Sequence, residues 1–200
     1  MHISEGVLRP EILAIGWAVG GAAVGWSFYR LKNSEIPKTA ALSALFFLAS
    51  FAHVPIGIGG ASAHLILSGF VGVFLGFGAF AAIGSALFLQ GILFSFGGMT
   101  TFGVNICVLA APALLGFLCA RVSARSPAAR RIALFLAGFL PILLGSALLS
   151  IVLMLNGEAF AAAAYLVFAA HIPIAVIEGV ITLFACEFIL KYKPSLLERR

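Results

Sequence analysis

The chain has 200 residues, 62% of them hydrophobic and only 10% charged, with a formal net charge of +5. A soluble domain carries about 25% charged residues, so water is excluded as the solvent for most of this surface. With a mean hydropathy of +1.17 the chain reads as an all-α, polytopic membrane protein. Its Lys and Arg residues fall in short segments between apolar runs, where membrane topology accounts for them without nucleic acid.

The chain opens with MHISEGV, which lacks the basic start of a secretory leader. A first helix is expected over 10–31. After the basic group Arg30, Lys32 and Lys38, no Asp, Glu, Lys or Arg occurs from Thr39 to Ala120. Turn-like PIGIGGAS and FGGMT divide that interval, and four passes of about 20 residues or slightly fewer fill it, at 37–55, 63–79, 81–96 and 101–120. A second basic group, Arg121, Arg125, Arg130 and Arg131, separates these from two passes at 132–155 and 160–190, divided by LNGEA. A third group, Lys191, Lys193, Arg199 and Arg200, ends the chain. With all three groups cytoplasmic, residues 1–200 form one compact bundle of seven transmembrane helices. Its N-terminus lies outside and its C-terminus in the cytoplasm. Glycine-rich stretches such as GWAVGGAAVG supply close helix packing. Neither a phosphate loop nor a nucleophile–base motif occurs, and there is no Asp anywhere, so an enzyme is not expected. Cys107, Cys119 and Cys186 lie in apolar runs without metal-finger spacing and read as core thiols.

Polar residues in or near the membrane need a reason to be there. His64 is expected to begin a helix directly after the PIGIGGAS turn, at the same outer level as His2. His53 lies at that level too, as a candidate ligand or a helix-end cap, and Ser62 is a candidate to orient a ligand through its hydroxyl. Asn105, one turn into the fifth expected helix, is placed to hold a loop, and Gln90 to support packing nearby. His171 and Glu178 lie seven residues apart on one face of the last helix. Their role stays open between a polar interior and a subunit contact.

The first two residues carry a chemistry of their own. An unblocked Met1 α-amine, the deprotonated amide of His2 and the His2 imidazole are three nitrogens that close a five- and a six-membered chelate ring. A fourth nitrogen completes a square plane, the geometry that selects Ni(II) or Cu(II). His64 is the best-placed donor for it. Amide deprotonation makes such binding pH-dependent, and tetrahedral Zn(II) fits it poorly.

MHISEGVL at the start, GGASAHL at 59–65, Gln90 through GGMTTFGVN at 97–105, and HIPIAVIEGVIT at 171–182 together resemble the CbiM/NikM family. These are the cobalt and nickel substrate-binding membrane subunits of energy-coupling factor transporters. The resemblance implies a seven-helix importer subunit of a prokaryotic cell membrane that captures Ni(II) or Co(II) from outside. It implies Met1, His2 and His64 as the metal-holding residues. It also implies four partners: a transmembrane coupling subunit, two cytoplasmic ATPases and a small accessory membrane subunit. One departure stands out, because Phe96 occupies a position where the family commonly has Asp. That departure keeps a second reading open, a membrane assembly protein that retained the fold without transport.

Overall fold

The computed structural model describes residues 3–51, 53–55, 62–122 and 126–196; for 53–55, 62 and 63 it describes backbone only. Met1 and His2 therefore lie outside the described residues. α1 (Pro10–Gly16) starts with proline at its first position, where a missing N–H costs no helical hydrogen bond. A π-helical turn at Trp17–Gly21 carries the axis on into α2 (Ala22–Tyr29). α3 (Ile36–Ala49) follows, then two three-residue strands, β1 (His53–Pro55) and β2 (Ser62–His64), paired antiparallel. α4 (Ser68–Leu75) and α5 (Ala79–Phe94) come next, then α6 (Phe102–Arg121), α7 (Pro127–Asn156) and α8 (Ala161–Tyr192).

Among the described residues, five stretches are long and apolar enough to cross a membrane: Pro10–Tyr29, Ser68–Phe94, Phe102–Arg121, Pro127–Asn156 and Glu158–Tyr192. The expected passes at 63–79 and 81–96 both overlap one of them, Ser68–Phe94, which is broken at Gly76. There the backbone turns to φ 54°, ψ −123°, a conformation that favours glycine. The break reverses the chain. Beyond it, Ser27 at the end of α2 donates to the Phe77 carbonyl and accepts from Ala81 N–H, while Lys38 at the start of α3 lies over Phe74. At the other end of α5, Gln90 reaches Ser50 and Phe47 at the close of α3. α5 thus runs parallel to α3, and α4 runs against both.

Several expected boundaries differ from those observed, among them the start of α7 at Pro127 rather than 132, and two of the differences come from the strand pair. The expected pass at 37–55 is a helix only to Ala49, because the chain turns into β1 from His53. The expected helix start at 63–64 lies at Ser68 instead. β2 holds residues 62–64, and Leu67 takes a left-handed conformation (φ 55°, ψ 20°) that a running helix cannot include.

α4 is buried along its whole length and forms the centre of the packing. Its glycines allow that. A Cβ on Gly72 would strike the Ala113 carbonyl of α6, and a Cβ on Gly69 would strike the Ala137 carbonyl of α7. Without a hydrophobic force between helices in lipid, such close approach supplies the packing. Around this core the outward surface is apolar, with Leu48, Leu155, Phe184 and Phe188 all well exposed. Across the start of α7 and the end of α8, Arg130 and Arg131 pair with Glu187 at 3.4 and 3.3 Å.

Candidate functional site

The expected site divides between two hydrogen-bonded clusters among the described residues. The first holds the segment that follows Met1 and His2. Ile3 is buried, and its backbone is gripped on both sides. Its N–H donates to Asn105 Oδ1 at 2.9 Å, and its carbonyl accepts from Asn105 Nδ2 at 3.1 Å and Thr101 Oγ1 at 2.8 Å. A primary amide has an acceptor and two donors fixed in one plane, so it can answer both the N–H and the C=O of a single residue. The start of α6 provides the place, since Asn105 and Thr101 lie one turn apart there.

Two further contacts continue the strap. Thr100 donates its N–H to Glu5 Oε1 at 2.9 Å and its hydroxyl to Oε2. These donors, the Thr100 hydroxyl foremost, hold the exposed Glu5 carboxyl below its ordinary value. At the end of α7, Asn156 repeats the two-sided amide grip: it accepts from Arg9 N–H at 2.8 Å and donates to the Val7 carbonyl at 2.7 Å. Trp17 also donates to the Thr100 carbonyl at 3.0 Å, joining α1 to the same turn.

The second cluster surrounds His64. Its Nδ1 lies 3.2 Å from the Leu65 carbonyl oxygen. A carbonyl only accepts, so Nδ1 carries the proton and Nε2 the lone pair, the tautomer a ligating imidazole needs. Directly beyond, Glu178 of α8 is fully buried. It accepts the N–H of Ile66, and that of Leu67 at 2.9 and 2.8 Å through its two oxygens. These are the orphan donors that precede α4, which has no side-chain cap of its own.

The remaining candidates occupy different places. His171, two turns before Glu178 on α8, is buried and donates from Nδ1 to the Val167 carbonyl at 2.7 Å. Gln90 is fully buried and donates to Ser50 Oγ at 2.5 Å and to the Phe47 carbonyl at 3.3 Å; its own Oε1 has no partner among the described residues. Its contacts tie α5 to α3 and include neither cluster. The β1–β2 register sets His53 opposite His64 and Pro55 opposite Ser62; the side chains of His53 and Ser62 lie outside the described atoms. Phe96 joins Phe51 and Phe94, with ring centroids at 5.6 and 6.5 Å, in an aromatic cluster that Phe47 completes. Phe96, the departure noted in the sequence, thus serves as an apolar packing residue. Among the described residues, no three His, Cys, Asp or Glu side chains gather as a metal site.

Asn156, Thr100 and Thr101 were missed by the sequence reading. Asn156 precedes a glycine at a helix end, a pattern that marks a turn, and nothing in that pattern points to a contact 149 residues away.

A family model described as "Cobalt uptake substrate-specific transmembrane region" matches residues 2–196. A Haemophilus influenzae protein named for metal transport is 40% identical, covering 100% of this chain and 98% of its own length. An Archaeoglobus fulgidus protein named for nickel transport, NikMN, is 27% identical and covers all of this chain and 69% of itself. One from Methanocaldococcus jannaschii, named for cobalt transport, CbiM, is 26% identical over 98% of this chain and 90% of its own. The crystal structure of a truncated transition metal transporter superposes with a TM-score of 0.73 at 25% identity, covering 96% of this chain and 99% of that one.

Proposed function

Because this chain belongs to the CbiM family of substrate-specific cobalt-uptake membrane proteins, a multi-pass membrane family whose relatives are named for cobalt or nickel transport, we propose that it captures Ni(II) or Co(II) from outside the cell through nitrogen ligands at its N-terminus. In this reading the α-amine of Met1, the amide and imidazole of His2, and the imidazole of His64 surround the ion. The observation that carries the reading is the grip on Ile3. The residue next to His2 is fixed by both of its backbone groups, so a chelate formed from the preceding nitrogens is tied to the bundle. Preorganisation of that kind raises affinity by lowering the ordering cost of binding.

Seven passes, with the N-terminus outside and the C-terminus cytoplasmic, suit this role. The reversal at Gly76 separates α4 from α5, and the basic groups then fall on one side. The chain contributes binding, and ATP hydrolysis belongs to partners: a transmembrane coupling subunit, two cytoplasmic ATPases and a small accessory membrane subunit.

The test is to compare the purified chain carrying a free Met1 amine with the same chain acetylated there, by Ni(II) titration and visible absorption. The free chain should bind one ion with the yellow colour of a square-planar Ni(II) complex, and the acetylated chain should lose that binding with its helix content unchanged. Equal affinity in both forms sinks the chelate. Failure of both forms to bind Ni(II) or Co(II) favours the assembly-protein alternative.

A further inference from the structure

The peptide unit between Leu65 and Ile66 is held at both ends, by a different group at each. Its carbonyl oxygen receives the His64 Nδ1–H at 3.2 Å. Its N–H donates to Glu178. The six atoms of a peptide unit are coplanar, with C=O and N–H directed to opposite sides, so the carboxylate that fixes the N–H also fixes where the carbonyl points. The next N–H, of Leu67, is held by both oxygens of the same carboxylate at 2.9 and 2.8 Å. That second contact removes the remaining rotation about the Ile66 backbone.

Leu67 itself takes φ 55°, a sparsely populated conformation for a branched residue. Such a conformation persists where the surroundings over-determine it, and here Glu178 supplies the restraint. The carboxylate is anchored in turn, since α8 packs closely on α7 at the same level. A Cβ on Gly138 would strike the Glu178 carbonyl and the Thr182 hydroxyl.

We propose that Glu178 is a positioning residue for His64: through the Leu65–Ile66 peptide plane it sets the direction and the tautomer of the imidazole that completes the metal site. Glu178 touches no metal in this account. A ligand histidine is normally oriented by the acceptor on its other ring nitrogen. Here that acceptor is the chain's own backbone carbonyl, and a buried carboxylate one peptide unit away holds it in place. This rests on the proposed role of His64 as a ligand.

The two ideas separate in a double-mutant cycle on the purified full chain, with Ni(II) as the probe and affinity and visible absorption as readouts. His64→Ala should weaken binding and change the spectrum. Glu178→Gln, which turns an amide N–H toward backbone N–H groups, should weaken Ni(II) binding about 10- to 100-fold, the range for partners that orient a metal ligand. It should also shift the spectrum in the same direction as His64→Ala. In the His64→Ala background, Glu178→Gln should have little further effect, because residues that act through one another are not additive. An equal loss in both backgrounds, or no loss while His64 is present, overturns the positioning role and leaves the ligand reading standing. Binding untouched by His64→Ala overturns the ligand reading itself. If the glutamine variant does not fold, Glu178→Asp serves in the same cycle, since its shorter arm keeps the charge and withdraws the contact.

Discussion

Asn105 and Asn156 do the same task at the ends of two different helices. Each turns a planar amide toward the backbone of the strap and answers an N–H with its oxygen and a C=O with its nitrogen. A buried backbone group left unanswered costs about 1–3 kcal/mol, so these contacts decide whether the segment stays down. Glu5 adds a titratable member. Its carboxyl lies below the ordinary value of 4.5, chiefly because the Thr100 hydroxyl and N–H donate to it. A depressed folded-state value stabilises the docked strap fully above 4.5, and that contribution disappears as pH falls through the lower value. Hydrogen exchange at the Thr100 amide, taken relative to the unfolded-chain rate, should therefore lose protection as pH falls below 4.5 and through the lowered value. In Thr100→Ala the loss should begin at higher pH. Protection that stays constant through that range in the parent chain would show that Glu5 does not hold the turn. Asn105 was legible in the sequence as a loop-holding amide because a helix one turn past FGGMTTFG has few other uses for one. Asn156 was not, because its partners come from the opposite end of the chain.

At the level of elements, the helices were easier to find than the joints between them. Long apolar runs make α6, α7 and α8 legible from hydropathy alone. His64 was expected on a helix and lies on a strand, and the reason is physical. The helix that should begin there would leave the N–H groups of Ile66 and Leu67 unpaired, and a carboxylate more than a hundred residues away takes them instead. Local sequence carries no trace of that partner. α4 shows the same dependence on neighbours. With eight residues it is about 12 Å long, too short to stand alone, and it survives by fitting glycines against the backbones of α6 and α7. Gly72→Ala should accordingly destabilise the protein by about 1–3 kcal/mol through overpacking against Ala113. Gly25→Ala, where an added Cβ meets nothing within 4 Å, should not. Thermal unfolding in detergent reads the difference, and equal Tm shifts for the two would contradict the packing account.

Over the whole molecule, the contacts between distant segments differ in kind at the two ends. Near α7's start, the Arg130 and Arg131 pairs with Glu187 are exposed on the arginine side; pairs of that sort contribute about 0–1 kcal/mol. At the far end of α7 the strap is held by Thr100, Thr101, Asn105 and Asn156. Ile3, Val7 and Arg9 are gripped by backbone atoms and Glu5 by its side chain. A grip on the backbone is indifferent to which side chain is present but not to how many residues lie between two fixed points. The bundle therefore works as a ruler for this segment. It measures the count from Ile3 to Arg9 more strictly than it reads the letters. Replacing Ser4 by Ala should leave Ni(II) affinity nearly unchanged, whereas inserting one glycine between Ser4 and Glu5 should break the register of one amide grip and weaken binding at least tenfold. If the insertion binds as tightly as the parent chain, the strap is a tether of slack length and sets no register.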